Sequence, residues 1–145
     1  MSLKNEAQFY VGQKALIEKD EKVIVVFDPM FGFDFPGGKI QEDDLVMGKP
    51  ADLINSLKRE VKEETGLDIE VFDPYNVWYF EVLRKTHPLF GKKVYMVLFL
   101  CKYVSGEISL SGEHEKFIWV DKNDYQKYAD DSDGFAALKK YFLSN

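Results

Sequence analysis

The chain has 145 residues, 46% of them hydrophobic and 15% aromatic, which is enough apolar material to bury a core and excludes a disordered polymer. Its formal net charge of −6 and pI near 5.0 argue against broad nucleic-acid binding, which wants a basic face. The longest apolar run, Val94 to Cys101, holds eight residues and is too short to cross a membrane.

In chain order, Gln8 to Lys19 and Lys22 to Asp28 read as two strands joined by the charged turn Asp20-Glu21. The alternating run Phe31-Gly32-Phe33-Asp34 then leads into Phe35-Pro36-Gly37-Gly38-Lys39. A strand ending in such a glycine turn lets backbone amides and carbonyls approach a metal or a phosphate closely. A helix is predicted from Pro50, which suits a first helical position, to Thr65, with Gly66 as its stop. Asp68 to Phe72 predicts a short strand ending before Asp73-Pro74. Val77 to Lys85 and Lys93 to Val104 are rich in aromatic and β-branched residues and predict strands, with Thr86 to Lys92 as a hairpin loop. Glu107 to Leu110 and Phe117 to Val120 close the strand set. Asp121, with Asp124 three residues on, can cap a short helix through Tyr128, and Gly134 to Leu143 predicts the last helix.

Strands on both sides of a central helix, followed by more helices, predict an α/β protein with a mixed sheet between helical layers. No repeat, low-complexity tract or linker divides the chain, so a single domain over 1–145 is expected. No signal-peptide pattern opens the sequence, and the lone cysteine, Cys101, sits inside the apolar run as an ordinary core residue. A cytoplasmic location follows as an expectation.

Residues 59 to 67, Arg-Glu-Val-Lys-Glu-Glu-Thr-Gly-Leu, carry the chemistry. Glu60, Glu63 and Glu64 stand at helical spacings of three and four, so three carboxylates share one face. Their mutual repulsion is relieved by a hard divalent cation, which takes oxygen ligands and leaves room for waters and substrate phosphates. A solvated acidic helix face is the plainer alternative. Arg59 lies one turn from Glu63 and can hold that carboxylate in place.

At these residues the chain resembles the Nudix hydrolase family. The second half of the family's box is matched by Arg59, Glu60, Val61, Glu63, Glu64, Gly66 and Leu67, and its opening by Gly38 after Pro36-Gly37. The family normally has fourteen positions from the opening glycine to the arginine, and Gly38 to Arg59 spans twenty-one. Seven extra residues therefore lie within Lys39 to Lys58, where a lengthened loop costs little closure entropy. Asp44 occupies the place of the box's first glutamate, with Glu42 and Asp43 beside it.

The resemblance implies an α/β/α sandwich and metal-assisted hydrolysis of a diphosphate linkage. It implies Mg2+, with Mn2+ as the alternative, bound by Glu60, Glu63, Glu64 and the carbonyl of Gly38. Arg59 would orient the acidic cluster, and Glu60 would serve as ligand or base. It also marks Glu113 or Glu115, in a loop before the tryptophan-bearing strand of Trp119, as a further ligand or base. His114 has no second histidine near it and reads as a bystander.

Lys39, and the basic cluster of Arg84, Lys85, His87, Lys92 and Lys93, are candidate phosphate contacts; a basic hairpin also serves plain solubility. Phe33, Trp78, Tyr79, Phe80 and Phe90 are candidate ring-stacking surfaces, or core. The expected partner is a small nucleotide, by default a nucleoside di- or triphosphate, met by a monomer or homodimer with no nucleic acid or membrane involved. The alternative is a non-hydrolytic Nudix domain that senses a nucleotide or binds a partner. An isomerase on this fold would want a catalytic cysteine, which Cys101 in its apolar strand does not supply.

Overall fold

The computed structural model describes residues 4–28, 32–108 and 117–145. β1 (Tyr10–Lys19) and β2 (Lys22–Asp28) are joined at Asp20 and Glu21, whose φ values of 52° and 64° are both left-handed. Two such residues give the tight turn whose twist matches a hairpin, and Glu18 steadies it by accepting from the Glu21 N–H at 3.0 Å. β3 (Gly32–Asp34) and β4 (Gly37–Lys39) follow, then a single 3-10 turn at Glu42–Asp44 and helix α1 (Pro50–Thr65). β5 (Asp68–Glu81), β6 (Lys93–Ser105) and β7 (Phe117–Val120) complete the strands among the described residues. A second 3-10 turn (Tyr125–Tyr128) and helix α2 (Asp133–Ser144) end the chain.

The strands form one mixed sheet in the order β3-β2-β1-β6-β5, with β4 pairing β1 and β7 pairing β2. β1 and β6 run parallel over nine registered pairs, from Tyr10 beside Val94 to Glu18 beside Lys102; the remaining pairings are antiparallel. β2 stays with β1 for only two pairs before turning to β3 and β7. That leaves the edge of β1 at Gly12 to Lys14 for β4, and so brings Gly37 and Gly38 against the middle of the sheet.

Alternation along β1 divides the core in two. Ala15 and Ile17 pack with Leu57, Val61, Leu67 and Cys101 under α1, while Leu16 packs with Leu98, Phe135 and Leu138 under α2. The sheet therefore lies between helices, as expected. α1 is held at its start by the buried Asp52 carboxylate, which accepts from the N–H groups of Met47 (3.0 Å) and Lys49 (3.4 Å). It ends at Gly66, whose φ of 82° and N–H bond to the Lys62 carbonyl form a left-handed cap. Leu57 and Val61, four apart and sealed from solvent, contribute about 1.5–3 kcal/mol each by burial.

Two strand boundaries differ from expectation. Asp73-Pro74 does not divide a strand: β5 runs through it with shifts in register around Pro74. β5 is an edge strand, so the amide hydrogen that proline lacks is not needed by a second neighbour, and the bulge absorbs the misfit. β5 also stops at Glu81 rather than Lys85, because Val82 exchanges hydrogen bonds with Gly91 and Lys92 and closes the hairpin there. The expected strand Glu107 to Leu110 and the residue Phe31 lie wholly or partly outside the described residues.

Candidate active site

Arg59 organises the acidic cluster. Its Nη1 donates to both oxygens of Glu63, at 3.0 and 3.1 Å, and its Nη2 to Asp44 Oδ1 at 2.7 Å and Glu60 Oε1 at 3.2 Å. The bonds to Glu63 and then Asp44 hold the guanidinium still more firmly protonated than usual. Three carboxylates from two elements thus gather about one fixed cation.

Asp44 is the cluster's anchor to the loop. Its side chain is only 7% exposed and accepts from the Gln41 N–H at 2.7 Å, the Ser56 hydroxyl at 2.9 Å and Arg59. The Gln41 N–H above all, then Ser56 and Arg59, hold its carboxyl below the usual value of 3.8, against the burial that pushes it up. Gly38 and Asp44 keep the family's spacing, so the seven extra residues fall between Asp44 and Arg59. They are accommodated by the segment 45–49 and the first turns of α1, with Leu45, Val46 and Met47 exposed.

A carboxyl with a depressed folded value contributes stability in full above its ordinary value and loses it as pH falls through the folded one. Asp44→Asn is expected to lower stability by about 1–2 kcal/mol at neutral pH. The gap between the proteins should close below about pH 4 in denaturant titrations, whereas a gap independent of pH would mean the charge contributes nothing.

The glycines expected in a turn stand instead in strand β4, paired to β1, and meet α1 from the sheet. The Gly37 N–H donates to Glu64 Oε2 at 3.2 Å. A Cβ on Gly38 would sit 2.8 Å from both Cδ and Oε2 of Glu60, so the carboxylate fills the space that glycine leaves. Among the described residues no three His, Cys, Asp or Glu side chains already converge as an ion's ligands; Glu63 is turned to Arg59 and Glu64 to Gly37. At helical spacings of three and four, their Cβ atoms lie about 5–6 Å apart, so side-chain rotation alone can bring them together.

The other candidates fall in different places. Gly38 faces α1, so Lys39, the next residue of β4, points to the opposite face of the sheet. There its ammonium is depressed by burial and by Lys14, with Asp34 opposing; Lys14 itself is bonded to Asp34 at 3.0 Å. Lys93 shares the α1 face with Glu60 but lies four residues along β6 from Val97, the neighbour of Gln13, or about 13 Å away. With Gln8, Phe9, Tyr10 and Lys92 it lines a cavity of about 440 Å³. Arg84 is exposed in the hairpin beyond β5. Glu113, His114 and Glu115 lie outside the described residues.

Among the aromatic candidates, Phe33 is core, whereas Tyr79 is 62% exposed and meets Phe9 edge-to-face at 5.8 Å. Cys101 is buried, and burial pushes its thiol up to about 12, which disfavours a nucleophilic thiolate. Gln41 and Ser56, which brace Asp44, were not singled out by the sequence. Their signal is faint, since a polar residue in a loop or on a helix is ordinary.

Comparison with known proteins agrees with this architecture. The NUDIX domain family matches residues 14–141. Among curated proteins none matches the chain. A MutT protein from Methanosarcina mazei Go1 is similar with a TM-score of 0.71 at 24% identity, covering 97% of each chain. An ADP-ribose pyrophosphatase from Streptococcus suis is similar at 0.61 and 21%, covering 92% of each. A NUDIX hydrolase from Nitrosomonas europaea is similar at 0.69 and 18%, covering 94% of this chain and 90% of the other. The chain belongs to the Nudix hydrolase family.

Proposed function

We infer that the chain hydrolyses a phosphoric anhydride bond in a nucleoside diphosphate derivative, by default a nucleoside di- or triphosphate. The observation that carries this reading is the Arg59 guanidinium bonded at once to Asp44, Glu60 and Glu63, with Glu60 seated over Gly38. Such an array holds carboxylates together in register when repulsion would scatter them, and a solvated helix face has no need of that.

Brought together by side-chain rotation, Glu60, Glu63 and Glu64 would, with the Gly38 carbonyl, hold Mg2+, or Mn2+ as the alternative, in a hard oxygen set. The ion supplies Lewis acidity toward phosphate oxygens and a lowered pKa for bound water. Water attacks phosphorus as the anhydride P–O bond breaks, and its proton passes to a carboxylate. Glu60 is the assigned base, with Glu113 or Glu115 as the other candidate. Arg59 keeps Glu60 and Glu63 aligned without touching substrate.

Lys93 meets an anionic group toward the far end of the substrate, on the same sheet face, with Arg84 beyond it. Lys39, on the opposite face, serves only a substrate that reaches around β4. The substrate is a small nucleotide and not a nucleic acid, in keeping with the acidic chain. Among the described residues no helix is long and apolar enough to cross a membrane, and the buried single cysteine fits a cytoplasmic setting.

The test is product release from nucleoside triphosphates, ADP-ribose, dinucleoside polyphosphates and nucleotide sugars, with and without magnesium. Magnesium-dependent turnover of one class is expected. Folded protein that binds a nucleotide yet turns over none would make the chain a sensing or partner-binding module instead.

A further inference from the structure

The reaction above makes no use of Gln13. This residue lies in the middle of β1, 4% exposed, and its carboxamide oxygen is shut away from solvent with no hydrogen-bond donor. An acceptor buried in that way costs stability that an apolar side chain of the same shape would not. A buried orphan calls for a reason, and its address supplies one.

The β1–β4 ladder sets Gln13 directly opposite Gly38. Opposed residues of an antiparallel pair point to the same face, with Cβ positions about 5 Å apart. The Cβ that Gly38 lacks would stand 2.8 Å from the Glu60 carboxylate. Gln13 is therefore beside Glu60, on the α1 face of the sheet. An ionised carboxylate only accepts hydrogen bonds, so it cannot satisfy the Gln13 oxygen. What fits between two acceptors is a small group bearing two hydrogens.

We propose that Gln13 is a positioning residue that, together with Glu60, holds the water used in hydrolysis. The water donates one hydrogen to the Gln13 oxygen and the other to Glu60. Its two hydrogens are thereby aimed at the protein and a lone pair is left for phosphorus. Room for it comes from Glu60, whose 3.2 Å bond to Arg59 is the longest of the four that the guanidinium makes to the cluster. The water's fate rests on the hydrolytic reading; its binding between Gln13 and Glu60 does not.

Gln13→Met and Gln13→Leu test this by three measurements: the unfolding midpoint in EDTA, its rise on adding magnesium, and kcat with KM on the best substrate. In EDTA, where Glu60 stays on Arg59 and leaves no room for the water, the expected result is a midpoint equal to or above wild type, because the orphan acceptor is gone. With it should come a kcat at least about tenfold lower at nearly constant KM. A midpoint that falls in both variants would show the carboxamide already paired within the fold, for instance through the amide nitrogen after a half-turn, and would overturn the proposal. Unchanged kcat would overturn it as well.

Should wild type turn over nothing, the hydrolytic reading fails while Gln13 is still tested. A smaller magnesium-induced rise in the variants than in wild type would uphold it, and an equal rise, or none in any protein, would sink it.

Discussion

Glu63→Gln is expected to lower magnesium-dependent turnover on the order of 10²- to 10⁴-fold while leaving the fold intact. The substitution keeps the shape of the side chain and removes its charge. Glu63 is 57% exposed, and its link to Arg59 is a surface pair at helical spacing, worth about 0.3–0.5 kcal/mol. Loss of that pair moves the unfolding midpoint by no more than about 2 °C in a chain of this size. The chemistry has no such tolerance. An amide oxygen is a weaker ligand for a hard cation than a carboxylate, and its NH2 would face the Arg59 fork.

Lys62→Gln is the matching control. It lies on the same turn of α1 but faces Asp68, at 3.1 Å, away from the cluster. Its turnover should stay within about twofold of wild type, as for surface substitutions away from a site. A Glu63→Gln enzyme with wild-type turnover would remove Glu63 from the site and leave Arg59 serving Asp44 and Glu60 alone.

The box was legible because its chemistry is local. A helix converts spacings of three and four into a shared face without help from the rest of the chain, so Glu60, Glu63 and Glu64 declare themselves. Asp44 was legible by position, although its partners Gln41 and Ser56 were not. Gln13 was invisible, because its meaning depends on being opposite Gly38, and register between β1 and β4 is set by where β2 turns away from β1. Pro74 misled for a related reason: a proline ends a central strand but not an edge strand, and edge position belongs to the sheet as a whole. The placement of Lys39 could have been read, since alternation sends successive strand residues to opposite faces. A glutamate over Gly38 requires Lys39 to face away.

Gly37→Ala is expected to cost about 3–5 kcal/mol and to lower the unfolding midpoint by about 10 °C or more, whereas Gly38→Ala should spare the fold and damage only activity. The two glycines are adjacent, and what their missing side chains would meet is different. At Gly37 φ is 144°, a conformation that side chains rarely adopt. A Cβ there would strike the Gln13 carbonyl oxygen and stand 2.8 Å from the Lys14 Cα. Both atoms are backbone of β1, which is locked on its other edge by nine parallel pairs to β6 and cannot give way. The strand β4 must then part from β1, and the bond from the Gly37 N–H to Glu64 parts with it. At Gly38 the obstacle is the end of the Glu60 side chain, which can swing aside. Thermal unfolding and turnover measured on both variants separate the two effects. A Gly37→Ala protein as stable as wild type would mean that β4 is not pinned to β1 at that point, and the seat of Glu60 over Gly38 would lose its basis.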